Sequence, residues 1–140
     1  MIHSDKKASM FTSIKTSKAN KEIVTQLTRR LNLGAENVIA RIAFTYSLYK
    51  DRKMDLALVK DAGGKEYSTK VLFGDNADYY IALICVQYNL YKSDKDLPRY
   101  IKMHIDDGIE LIAKEIDQKK NITGAEFLID KIEKGLKQFS

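Results

Sequence analysis

The chain has one cysteine, one proline and two histidines in 140 residues, and its longest apolar run, residues 79–86, is far shorter than a membrane span. Crossing a bilayer takes roughly 20 apolar residues, so no transmembrane segment is expected. A lone Cys85 excludes an internal disulfide framework and the several thiolates that an iron–sulfur cluster requires. Lying within an apolar helical run, it reads as a packing residue, and a reducing cytoplasm fits. His3 falls in a polar tail and His104 has no His, Glu or Asp at zinc-motif spacing. Gly63-Gly64-Lys65-Glu66 resembles the end of a phosphate loop. It lacks the first glycine, however, and has Glu66 where a Ser or Thr would bind magnesium, so it reads as a turn. Asp106, Asp107 and Glu110 share one helical stretch with nothing to complement them, which reads as a solvated acidic face or a dock for a basic partner. No catalytic residue, metal site or cofactor is expected, and the chain is read as not an enzyme.

What is present is a folded composition, with 44% hydrophobic and 31% charged residues and a net charge of +5. The charge is unevenly placed. Up to Lys53 the bases Lys6, Lys7, Lys15, Lys18, Lys21, Arg29, Arg30, Arg41, Lys50, Arg52 and Lys53 face only Asp5, Glu22, Glu36 and Asp51, a net of +7 that leaves the remainder slightly acidic. Such asymmetry puts any polyanion contact on the first third and leaves the rest for assembly or a basic partner.

The absence of low complexity, repeats and further prolines predicts a single, mostly α-helical core with short connections. Residues 1–9 lack the apolar core of a secretory signal and are read as a flexible tail. Residues 11–17 are rich in Thr, Ser and Ile and predict a short strand, with Ser17 or Asn20 as the cap of the next helix. If Ile14 points inward, Ser13, Lys15 and Ser17 point outward. Ile23, Val24, Leu27 and Leu31 recur at helical spacing, and Gly34 suits the left-handed position after the helix end. The next helix, residues 35–49, is apolar in too many directions for one neighbour to cover, which places it in an intersubunit core. Residues 54–73 read as a loose hairpin or ordered loop. Three further helices follow: a buried one from Asp75 or Asn76 to about Tyr91, one from Pro98 to about Ile116, and a last one behind the capping box Thr123-Gly124-Ala125-Glu126. The tyrosines Tyr46, Tyr49, Tyr79, Tyr80, Tyr88, Tyr91 and Tyr100 lie beside aliphatics at helical spacing and are assigned to packing.

Strand, amphipathic helix, tight turn and apolar helix, in that order, match a ribbon-helix-helix unit over residues 10–50. Its logic is dimeric: two strands pair into a ribbon that enters a major groove while the helices interlock. The start of the second helix, near Gly34 to Asn37, offers free amides to a phosphate. The same pattern also fits a plain helical hairpin with a basic entry strand, and the pattern alone does not decide between them.

More specific are Ile14-Lys15-Thr16-Ser17, the run Leu31-Asn32-Leu33-Gly34-Ala35-Glu36-Asn37-Val38-Ile39-Ala40-Arg41-Ile42-Ala43, and Gly64-Lys65-Glu66-Tyr67 leading to Leu72-Phe73-Gly74. In these the chain resembles the DndE family of bacterial DNA phosphorothioation systems. The resemblance implies a small oligomeric helical protein, a homotetramer, with a ribbon-helix-helix-like start. It implies a non-catalytic role beside a cysteine desulfurase, an iron–sulfur ATP-pyrophosphatase-like protein and an ATPase, binding DNA, preferably nicked duplex, through a lysine-bearing surface. The domain would span residues 10–117, with 118–140 a C-terminal helical extension matching no recognised pattern. The residues expected to face DNA phosphates are Lys15, Lys18, Lys21, Arg29, Arg30 and Arg41, and about six such contacts predict a log–log salt slope near −5. Two other readings stand beside this one. A free-standing ribbon-helix-helix regulator or antitoxin would read a palindrome, and a pure assembly subunit would have no DNA affinity.

Overall fold

A computed structural model describes residues 11, 13–50, 53–119 and 121–137 and is mostly helical. The tail expected over residues 1–9 lies outside the described residues. Strand β1 (Ser13–Lys15) leads into α1 (Lys18–Leu31) and α2 (Glu36–Tyr49). A 3-10 turn at Leu56–Leu58, strand β2 (Glu66–Ser68) and a short helix α3 (Thr69–Phe73) follow. Three longer helices complete the fold: α4 (Ala77–Tyr88), α5 (Leu97–Gln118) and α6 (Gly124–Lys137).

The centre of the molecule is α5, whose 22 residues run about 33 Å. Pro98 sits in its first turn, where no backbone hydrogen bond is forfeited. Ile101, Ile105, Ile109, Ile112 and Ile116, spaced three and four apart, form one buried stripe, each contributing roughly 1.5–3 kcal/mol of burial. Beside this stripe α5 meets α2 at very close range: a Cβ added to Gly108 would lie 1.9 Å from the Ala43 carbonyl oxygen. The two backbones approach this closely because Ala40, Ala43 and Gly108 present almost no side chain. Phe44, Phe73 and Tyr80 close the far end of α2 with ring centroids 5.0–6.4 Å apart. Helix α1 lays Val24, Leu27 and Leu31 against this core and keeps Lys21 and Arg29 in water.

Several local features differ from the sequence reading. The strand expected over residues 11–17 is only Ser13–Lys15, and it pairs within the chain, antiparallel to β2, with Ser13 opposite Ser68, Ile14 opposite Tyr67 and Lys15 opposite Glu66. Alternation holds for Ile14, buried at 2% exposure beside Tyr67, and for exposed Lys15. It fails for Ser17, which is fully buried because the Gly63–Gly64 turn passes over it. The loose hairpin of residues 54–73 is thus a turn, a strand whose partner lies some 50 residues upstream, and a short helix. The left-handed residue that ends α1 is Asn32 (φ 52°), with Gly34 two positions on at φ 131°. Helix α4 stops at Tyr88, three residues before the expected end, because Asn89 takes the left-handed conformation (φ 56°). The capping box does open α6: Thr123 Oγ1 accepts from the Glu126 amide at 3.1 Å and donates to its carboxylate at 3.2 Å. Not every tyrosine packs: Tyr46 is buried, but Tyr79 and Tyr91 are 65% and 84% exposed.

Candidate nucleic-acid interface

Any polyanion site must be built from cations that the fold has left unspent. The β1–α1 junction supplies three of them within seven residues: Lys15 on the strand, Lys18 at the first position of α1 and Lys21 one turn later, all exposed. Arg29 and Arg30 follow in the last turn of α1, where cations complement the helix dipole. A 14-residue helix is about 21 Å long, some six base-pair steps at 3.4 Å each, so both ends can address one stretch of backbone. Among the described residues, none of these five side chains is ion-paired. By contrast Lys60, Lys65, Lys92, Arg99, Lys102, Lys119, Lys131 and Lys134 each meet a carboxylate. Arg30 spends one N–H on the Ile122 carbonyl at 3.3 Å and keeps the others.

Arg41 is placed differently. It lies on α2, apart from the α1 cations, and its guanidinium donates to the Leu72 carbonyl at 2.6 Å and the Val71 carbonyl at 3.1 Å. Asn37 adds a bond to the same Val71 oxygen at 3.1 Å. These carbonyls belong to the end of α3, so Arg41 ties α3 to α2.

The junction is held by carboxylates that sequence reading placed elsewhere. Asp106, expected on a solvated acidic face, is 2% exposed. It accepts from the Ser17 amide at 3.1 Å, from the Asn20 side chain at 2.8 Å and from Lys102 at 2.8 Å. Lys102 also donates to the Asp61 carbonyl at 2.7 Å. The Asp61 carboxylate accepts the amides of Lys18 and Gly63, both at 2.9 Å, and those bonds hold its carboxyl below the ordinary range. Helix α1 has no acid of its own in its first turn, and Asp61 with Asp106 supplies that charge from outside. The turn fits only because Gly64 has no side chain; an added Cβ would sit 2.1 Å from the Ser17 carbonyl oxygen. Glu110 is likewise engaged, accepting from Asn20 and pairing with Lys60.

The start of α2, read as a phosphate seat, is occupied in the same manner. Glu36 stands in the first turn, accepts from Thr25 Oγ1 at 2.8 Å and pairs with Lys65 at 3.2 Å. A carboxylate there satisfies the dipole and repels a phosphate. Pairing across the strands predicts this neighbourhood, but nothing in the local sequence announces that residues 61–68 return to cover the start of α1.

His104 is buried in a polar chain inside the core. The Met54 amide donates to Tyr88 Oη (2.9 Å), which lies 2.5 Å from His104 Nε2; His104 Nδ1 lies 2.7 Å from Ser47 Oγ, which donates to Asp107 at 2.6 Å. A proton on Nδ1 fits the links named here, and the serine stands between histidine and carboxylate rather than beyond the histidine as a nucleophile would. Among the described residues no group of three or more His, Cys, Asp or Glu is placed to hold a metal ion, and no helix is long and apolar enough to cross a membrane.

Comparison with known proteins follows this geometry. The family model described as DNA sulphur modification protein DndE matches residues 13–120. The crystal structure of DndE from Escherichia coli B7A, involved in DNA phosphorothioation modification, aligns with a TM-score of 0.61 at 17% identity, over 74% of this chain and 98% of that one. A mutant DndE structure aligns equally well at 18% identity over the same shares. No curated protein matches the chain. The β1–α1–α2 start and the helices through α5 thus lie within the matched span, α6 lies beyond it, and the chain belongs to the DndE family of DNA sulphur modification proteins.

Proposed function

We propose that this chain is a non-catalytic, DNA-binding subunit of a bacterial DNA phosphorothioation machinery, working as a homo-oligomer beside the iron–sulfur ATP-pyrophosphatase-like protein and the ATPase that the family's role implies. The observation that carries the reading is the division of the cations. Among the described residues Lys15, Lys18, Lys21, Arg29 and Arg30 are left without a carboxylate on β1 and α1, while Lys60, Lys65, Lys92, Lys102, Lys119, Lys131 and Lys134 elsewhere each meet one. Unpaired, exposed cations along one helix release counterions from a phosphate backbone without first breaking an internal bond. Arg41 contributes less than expected, because two of its five donors are committed to α3.

The order β1–α1–α2 is that of a ribbon-helix-helix unit, but β1 already has a strand partner in β2. The reading therefore rests on backbone contacts from α1 rather than on a strand pair reading bases, and DNA structure rather than sequence is what the surface senses. Gel-shift and fluorescence-anisotropy titrations on intact, nicked and single-stranded DNA of one sequence test this. The expected result is salt-sensitive binding, tightest for nicked duplex and indifferent to sequence. Protection of one short palindrome would favour a transcriptional regulator, and no binding at 50 mM salt would leave an assembly subunit without DNA affinity.

A further inference from the structure

We infer that the outer face of α2, walled by α4 on one side and by α6 on the other, is the docking surface for a second copy of this chain, and that α6 supplies one of its two walls. The inference rests on the homo-oligomer part of the function proposed above and deepens it by naming the surface. Ile42, Thr45 and Tyr49 form a ridge along α2 at spacings of three and four. An apolar groove of about 300 Å³ lies between this ridge and α6, lined there by Phe127, Leu128 and Ile132. A second groove of about 430 Å³ lies between the ridge and α4, lined there by Tyr79, Leu83 and Val86. Thr45 and Tyr49 belong to both, so the two grooves form one surface.

The size fits a protein interface. Tyr49, Tyr79, Val86, Ile132 and Leu136 are 41–83% exposed. Together they leave on the order of 600 Å² of side-chain surface uncovered, the upper end for the largest apolar patch on a monomer, and partly exposed Ile42, Leu83 and Leu128 bring it toward the roughly 800 Å² that each partner gives a standard interface.

The charge fits a second copy. Among the described residues Lys131 is the one charged residue lining either groove, and it is held by Glu115 at 2.6 Å and Asp130 at 3.3 Å. The face can therefore be dried without stranding a charge, and two chains can meet there without opposing Lys15, Lys18, Lys21, Arg29 and Arg30, which lie on β1 and α1. Among the described residues lining the grooves, no unpaired cation is left for a nucleic acid. Knobs such as Val86 and Ile132 alternate with grooves on one face, the self-complementary arrangement that a two-fold contact requires.

Helix α6 is a fixed wall rather than a trailing segment. Phe127 is fully buried, edge-on to Tyr46 with centroids 6.3 Å apart, and Lys131 lies over both rings at 4.9 and 5.2 Å. Since the family match ends at residue 120, this wall is an addition to the shared core.

Light scattering on the eluting full chain, at tens of micromolar, tests the surface. The expected result is an assembly whose mass falls to a smaller species in Val86→Glu and in Ile132→Glu, with helical circular dichroism retained and a melting temperature that no longer depends on protein concentration. Leu58→Glu, on an equally exposed apolar residue of the 3-10 turn, should keep the parent mass. Independently of any variant, the melting temperature of the parent should rise with protein concentration. A parent that elutes as a lone subunit, assembles only when another protein is added, or keeps its mass in the Val86→Glu, Ile132→Glu double variant overturns the inference. Dissociation by Val86→Glu alone overturns the part assigned to α6. Anisotropy on the same samples separates the two proposals, because assembly without DNA affinity sinks the function and leaves this surface standing, and DNA binding by a lone subunit does the reverse.

Discussion

Removing two of the unpaired lysines, as in Lys18→Ala with Lys21→Ala, should act on DNA affinity through counterion release and on almost nothing else. Each phosphate neutralised contributes about −0.9 to the slope of log K against log salt, so five free cations give a slope near −4.5 per engaged protomer, and the double variant should lower it by about 1.8. Extrapolated from 1 M to 0.15 M salt, that difference is about 30-fold in affinity. Among the described residues neither side chain makes a bond inside the fold, and the Lys18 amide that Asp61 accepts survives the change, so the urea midpoint should hold. Arg41→Ala is the matched opposite. It removes the 2.6 and 3.1 Å bonds to Leu72 and Val71 and should cost about 2 kcal/mol of stability while leaving the salt slope nearly intact. The assay is fluorescence anisotropy on a nicked duplex at five salt concentrations from 0.05 to 0.4 M, paired with urea denaturation. The reasoning is refuted if Arg41→Ala flattens the slope as much as the lysine pair does, or if the lysine pair leaves it unchanged.

Three other outcomes follow from the packing and the buried charges. Gly108→Ala puts a methyl 1.9 Å from the Ala43 carbonyl, forces α2 and α5 apart, and should destabilise by about 3 kcal/mol in urea unfolding, whereas the same change at exposed Gly63 should cost far less. Asp106→Asn strands Lys102 in a site where the pair is 3–10% exposed, and should cost about 3–5 kcal/mol by the same measurement. Stability should also fall in acid. Backbone bonds hold the Asp61 carboxyl low, and the Lys134 bond does the same for Asp130; at Glu115 burial pushes upward but the bonds from Lys131 and Tyr46 outweigh it. Carboxyls depressed in the folded state stabilise it above their unfolded values and lose that contribution as pH drops through the folded ones, so urea midpoints should decline from about pH 4.5 downward. Glu115→Gln should flatten that decline, and a midpoint constant from pH 6 to pH 3 would contradict the assignment.

The helices were legible because each writes its own periodicity. The isoleucine stripe from Ile101 to Ile116, Pro98 at the start of α5 and the Thr123–Glu126 box are local signals with local causes. The entry strand was legible as a strand but not as half of a pair, since its partner Glu66–Ser68 is three residues long and lies far along the chain. The role of Asp106 was hidden for a related reason. Its run of acids looks solvated from its own helix, where Lys102 reads as an i,i+4 surface pair, and it is Ser17 and Asn20, some 86–89 residues earlier, that reveal a buried anion. At the candidate interface, the lysines of β1 and α1 could be picked from charge asymmetry alone. Arg41 could not be separated from them, because the carbonyls it serves belong to α3, 30 residues on.

The caps of α1 have a consequence for how the molecule comes into being. Its first turn is completed by Asp61 and Asp106, contributed from 43 and 89 positions downstream, so the lysine platform is not a module that residues 10–50 can make by themselves. A nascent chain released at that length would hold the cations but lack the anchors that order them, and such distant contacts are among the last to close. The ordered arrangement of these lysines therefore arrives late in folding, once α5 is in place.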